Sequence, residues 1–148
     1  KGLGIIPVPT AAWVCRGSAA PKGTKALMYR TLLDQGFLPP GNSDSAGAMP
    51  EGINPLFSIW CMVARKTYTG ELNCPEERIT VTEAIRTYTM NGAYSGFEEK
   101  IKGSIEIGKL ADLIVLSDDP LTCDVDKIKD IQVEMTIIDG KIVYERQK

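Results

Sequence analysis

The stretch VEMTIIDGKIVYE, at 133–145, constrains the fold of this chain more than any other. Apolar and polar residues alternate on both sides of Asp139-Gly140, the strongest short-range pattern for a two-residue β-hairpin. Upstream, LADLIVLS at 110–117 reads as another strand. Three strands of this size bury little apolar surface by themselves, so the unit needs cover from elsewhere. The intervening DDPLTCDVDKIKD reads as an acidic loop with room for a short helical turn. Its alternating carboxylates lack the glycine and terminal glutamate of a calcium loop, so DVDKIKD at 124–130 reads as a solvated, helix-capping segment.

Before residue 103 the pattern is different. LGIIPVP at 3–9 is a continuous apolar run, suited to a strand buried on both faces. GTKALMYRTLLDQG at 23–36 spaces Leu27, Met28, Leu32 and Leu33 for a helix that Gly36 ends. FLPP then makes a short strand running into GNSDSAGAMP, a turn that presents Asp44. Strand, helix, strand and polar loop are the order of a parallel α/β unit. A second helix is expected over 54–69, capped by Asn54 with Pro55 at its first position, and with Leu56, Ile59, Trp60 and Val63 along one face. A third begins at Thr80, whose spacing to Glu83 makes a capping box, and is expected to run to about Met90 and stop at Asn91-Gly92. The charged EEKIKG at 98–103 reads as exposed.

At 148 residues the chain is the size of one ordinary domain. A net charge of −2 gives no electrostatic basis for nucleic-acid binding. No apolar run approaches the roughly 20 residues of a membrane helix. KGLGIIPVPTAAW has neither the basic region nor the long apolar core of a signal peptide. It also lacks an initiator methionine and starts inside a strand-like run, as a fragment would. Cys15, Cys61, Cys74 and Cys123 are scattered, without the clustered spacing of structural zinc. They read as reduced, mostly buried thiols in a cytoplasmic protein.

Longer motifs carry a family resemblance. PEERITVTEAIRTYTMNGAYSGFEEKIKGSIEIGKLADLIVLSDDPL, with MTIIDGKIVYE, resembles the C-terminal signature of metal-dependent amidohydrolases. GNSDS followed by NPLFSIWCMVARKTYTG resembles the family 3 branch, which includes N-substituted formamide deformylases. The resemblance implies an α/β chain: the C-terminal part of a TIM barrel over 1–103, then the C-terminal half of a composite β-sandwich over 104–148. GIIPVP would be the seventh barrel strand and FLPPGNSD the eighth, with flanking helices. Asp44 would then stand at the end of the eighth strand, where this fold places active sites. The resemblance implies that it binds zinc or another divalent metal and handles a proton during hydrolysis of an amide or formamide C–N bond. Trp13, following the seventh strand, would face a small-molecule amide-type substrate; ordinary packing is the plainer reading of Trp13 and of Tyr94.

One feature departs from the family. The chain contains no histidine, whereas the family's metal site draws on several. Asp44 alone falls short of the three protein ligands of a catalytic zinc. The expected partner is therefore the remainder of the same enzyme, with a homo-oligomer also open, and this chain alone is expected to be inactive. A non-catalytic assembly module and one subunit of a split hydrolase are the other readings. The alternative fold is a compact α+β domain in which 3–9 and 37–40 join the C-terminal hairpin in one sheet.

Overall fold

A computed structural model describes residues 3–17, 27–44 and 50–147. The expected helix start at 23–26 and the far side of the Asp44 turn, 45–49, lie outside the described residues. The centre of the fold is the helix Pro55–Ala64, which follows α1 (Tyr29–Asp34) and is labelled α2. Asn54 caps it, its Oδ1 accepting from the Leu56 N–H at 3.0 Å, with Pro55 at the first position as the sequence predicts. Burial goes further than one face, because Leu56, Phe57, Ser58, Ile59, Trp60, Cys61, Met62 and Ala64 are all buried. A helix apolar all round has no solvent side, so it becomes a core element. A turn of 3₁₀ helix (Ala11–Arg16) packs on it, as do a second (Val125–Asp130) and α3 (Val81–Tyr88). The Cys15 and Cys61 thiols meet inside this core.

The helix stops at Ala64 rather than near 69. Arg65 takes a left-handed conformation (φ 54°) and turns the chain into a tight reversal, where Lys66 pairs with Leu72. That backbone costs a non-glycine residue about 1–2 kcal/mol. Its side chain offsets the cost by donating, fully buried, to Asn73 O at 2.9 Å and Leu27 O at 3.1 Å. At the other end of this seam the buried Glu77 accepts from the Thr31 N–H at 2.9 Å, which ties in α1. Gly36 (φ 71°) closes α1 as expected, through Gly36 N–H to Leu33 O and Phe37 N–H to Leu32 O.

The capping box of α3 forms as the sequence predicts: Glu83 N–H reaches Thr80 Oγ1 at 3.2 Å and Thr80 N–H reaches Glu83 Oε2 at 2.8 Å. Arg30 of α1 also pairs with Glu83 at 2.8 Å. The helix does not stop at Asn91-Gly92. It breaks at Thr89 (φ −117°, ψ −92°) and resumes as α4 (Met90–Ser95), with Asn91 and Gly92 inside. Asn91 is spent on a tertiary contact instead, donating Nδ2 to Pro39 O at 3.0 Å. Gly103 (φ 94°) passes so close to the break that a Cβ there would lie 2.8 Å from Ala93 Cβ.

The architecture is α+β, with one antiparallel sheet of β1 (Leu113–Leu116), β2 (Val133–Ile138) and β3 (Lys141–Glu145), in that order. Asp139 and Gly140 both have positive φ (50° and 73°), the two-residue turn the sequence calls for. Register runs Leu113 opposite Ile137 and Thr136 opposite Tyr144. The segments 3–9 and 37–40 are neither strands nor members of this sheet among the described residues. Pro7, Pro9, Pro39 and Pro40 each lack the N–H a ladder needs, and it is the Asn42 side chain, just beyond the second segment, that reaches Pro9. Much apolar surface is left bare: Leu3 is 85% exposed, and Ile142 and Val143 of β3 are each 57% exposed.

The segment 124–130 does more than cap. Asp124 accepts from the Asp126 N–H at 2.8 Å, but Asp126 itself clamps the C-terminal unit to α2. Its carboxylate takes the Lys66 ammonium at 2.5 Å and the Trp60 indole N–H at 3.2 Å, while Ile128 is fully buried. The Lys66 hydrogen bond, then that of Trp60, holds the Asp126 carboxyl below the usual carboxylate value. A depressed carboxylate stabilises the fold above its unfolded pKa, and that contribution is lost as pH falls through the folded one. Asp126→Asn is therefore expected to lower the urea midpoint from pH 7 down to pH 5, and the gap from the parent should close as pH falls below about 4. Thr80→Ala removes one half of the capping box and is expected to cost about 1 kcal/mol in urea unfolding.

Candidate functional site

The Ala11–Arg16 turn buries Ala11, Ala12, Val14 and Cys15 against α2. Its period near three puts Trp13 and Arg16 on the same outer side, where the Arg16 guanidinium lies 5.2 Å from the Trp13 ring centre. The turn is pinned from behind by Asn73, whose Nδ2 donates to Val14 O at 2.9 Å.

The segment 37–44 arrives alongside. Gly41 N–H donates to Thr87 O at 2.8 Å, and Gly41 lies so near Tyr88 that a Cβ would come within 2.5 Å of its ring. Asn42 is gripped from three directions. Its Nδ2 donates to Pro9 O at 2.9 Å, its Oδ1 accepts from Thr10 Oγ1 at 2.8 Å, and its carbonyl accepts from Tyr88 OH at 3.1 Å. Pro9 O also accepts from the buried Tyr29 OH at 2.5 Å. Burial pushes the phenols of Tyr29 and Tyr88 upward, so both remain donors through neutral pH.

Two residues beyond this grip, Asp44 adopts φ 47°, a left-handed conformation that aspartate tolerates. Its exposed carboxylate accepts the Trp13 indole N–H at 2.9 Å through Oδ2. The two site candidates singled out from sequence, 31 positions apart, thus touch. Nothing in the spacing of Asn42, Thr10 and Tyr88 marks them in the sequence. Tyr94 stands elsewhere, lining a small cavity of about 130 Å³ between 4–7 and 36–38. A larger apolar cleft of about 580 Å³ opens between α2, α3 and the sheet, and neither Asp44 nor Trp13 lines it.

Among the described residues no three His, Cys, Asp or Glu side chains gather as metal ligands. With one exposed carboxylate and no histidine in the sequence, the residues present do not by themselves fit a catalytic metal centre. No helix among the described residues is long and apolar enough to cross a membrane.

Comparison with known proteins settles the family. The amidohydrolase family matches residues 2–144. N-substituted formamide deformylase of Arthrobacter pascens is 38% identical over 123 residues, covering 82% of this chain and 22% of that protein. The Bacillus subtilis (strain 168) protein YtcJ, named as an amidohydrolase, is 36% identical over 138 residues, covering 90% of this chain and 25% of that protein. Among solved structures, an amidohydrolase from Thermotoga maritima MSB8 superposes with a TM-score of 0.55 at 27% identity, covering 80% of this chain and 26% of that one. Escherichia coli guanine deaminase shares the fold with a TM-score of 0.61 at 22% identity, over 97% of this chain and 34% of its own. The chain belongs to the amidohydrolase family, in its family 3 branch. It spans about a quarter or less of the curated relatives' length.

Gly41 is where the site's support has least room. Gly41→Ala is expected to destabilise the chain by about 1–3 kcal/mol, because the new methyl must displace Tyr88 or the 37–44 segment. Urea unfolding measures it.

Proposed function

We propose that this chain is the C-terminal portion of a metal-dependent hydrolase that cleaves the C–N bond of an amide or formamide with water. Asp44 is its contribution to the reacting centre. The observation that carries the proposal is Asp44 itself: in a chain matched to the amidohydrolase family over 2–144, its carboxylate is exposed and oriented at the end of the 37–44 segment. On this reading 3–9 and 37–44, unpaired among the described residues, would pair as the last two barrel strands once the rest of the barrel is present, and 104–148 would be half of a sandwich. The missing strands and the histidine ligands then come from the remainder of the same cytoplasmic enzyme. The bare residues Leu3, Ile5 and Val8 and the uncovered strand β3 fit such a partner.

A carboxylate so placed has a definite task. It can accept a proton from the attacking water and return it to the leaving nitrogen, a role worth about 10²–10⁴ in rate. The zinc or other divalent ion would be held mostly by residues outside this chain, with Asp44 as one ligand, and would supply an activated water. The 148 residues alone are then inactive.

The test is Asp44→Asn in the intact enzyme, assayed on a panel of N-substituted formamides and simple amides. kcat/KM should fall at least about 100-fold, with the unfolding free energy unchanged within about 0.5 kcal/mol. Full activity in the variant would remove Asp44 from the reacting centre. An intact parent protein inert toward every amide would favour the non-catalytic assembly module.

A further inference from the structure

Resting on the reading of Asp44 as the reacting carboxylate, we infer that Trp13 is its positioning residue, and that Asn42 sets the distance between them. In most folds a backbone ladder would hold two such neighbouring segments in register. Here the described residues of 3–10 and 37–44 have none, so the Trp13–Asp44 geometry rests on side chains.

Each half of the pair is braced from a different side. Trp13 projects from a turn whose other face is buried in the core, with Asn73 holding Val14 O. Asp44 follows Asn42, which bonds to both Pro9 and Thr10, the residues that lead into that same turn. Asn42 therefore spans the gap between the two segments: it lies two residues before Asp44, and its partner Thr10 lies three residues before Trp13. A support of this kind, built on packed elements, is what a precise site needs.

The chemistry of the donor fits the task. An indole N–H donates and cannot accept, and it does not ionise in the neutral range. It can fix Oδ2 without neutralising the carboxylate or competing for its proton. Aspartate's terminal torsion is otherwise broad, so this one bond, at 2.9 Å, selects which oxygen faces outward. Oδ1 has no hydrogen bond among the described residues and is left for the reacting atoms. Trp13 then acts through Asp44, which differs from the substrate-wall role the sequence suggested.

Two measurements test this. In the intact enzyme Trp13→Phe keeps an aromatic ring and removes the N–H; a carboxylate free to swing should lower kcat about 10- to 100-fold with KM within about twofold of the parent. Asn42→Ala should lower kcat in the same sense. A Trp13→Phe enzyme with raised KM and parental kcat would overturn the inference and make Trp13 a pocket wall. The second measurement leaves Trp13 in place. In protein labelled with ¹⁵N-tryptophan, Asp44→Ala should shift the Trp13 indole N–H resonance while that of Trp60, bonded to Asp126, stays. An unmoved Trp13 resonance would overturn the inference even where Trp13→Phe fails to fold. The two readings fail separately: a fully active Asp44→Asn enzyme sinks the catalytic role of Asp44, whereas an inactive Asp44→Asn enzyme beside an unaffected Trp13→Phe sinks only the positioning role.

Discussion

Burial of α2 on nearly every side is the constraint on which the rest of the structure depends. A ten-residue helix, Pro55–Ala64, with almost no polar side has to be covered on every flank. The cover comes from stretches distant in sequence: Ala11–Arg16 before it, α3 just after it, and Val125–Asp130 from the C-terminal unit. Each fully buried large apolar side chain is worth about 1.5–3 kcal/mol, so these short turns, too small to be stable alone, are held by what they shield. The helix also needs an abrupt end, since continuing along its axis would carry the chain out of the core. Arg65 provides that end by taking an unfavourable backbone conformation and satisfying its buried guanidinium with carbonyls from two other segments.

The candidate site is a consequence of that arrangement. Packing the Ala11–Arg16 turn on α2 aims Trp13 outward, and packing α3 on α2 sets Tyr88 and Thr87 where they grip 41–42. The proline-rich segments 3–9 and 37–40 forgo a ladder among the described residues, and Asn42, Tyr29 and Asn91 replace it with side-chain bonds to the carbonyls of Pro9 and Pro39. Prolines explain this economy: they remove donors but keep acceptors, so the available bonds are those that amides and phenols can give to a carbonyl.

The distribution of apolar surface is uneven in a consistent way. The helical half encloses its core, whereas Leu3, Ile5, Val8 and all of β3 stand exposed. The sheet holds its hairpin through backbone pairing, and the C-terminal unit joins the core of the helical half through Leu116 of β1 and through Ile128 and Ile131 of the segment between β1 and β2. On the proposed reading these faces are the ones the remainder of the enzyme would cover; the chain spans 22% and 25% of the two curated relatives' length.

Local chemistry determined what the sequence alone could reveal. The Asp139-Gly140 turn, the Thr80–Glu83 capping box, the Asn54-Pro55 helix start and the Gly36 stop each involve residues within a few positions, and each formed as read. The family, too, was legible from motifs along the chain. The failures all involve distance. Asn91-Gly92 looks like a helix stop until Pro39 claims the Asn91 amide, and α2 looks five residues longer until Leu27 and Asn73 claim Arg65. LGIIPVP and FLPP look like strands because apolar runs do, while pairing depends on neighbours that the run itself does not name. Asp44 and Trp13 could each be singled out, but their hydrogen bond, and the Asn42 grip that supports it, exist only once the tertiary fold brings residues some thirty positions apart within 3 Å.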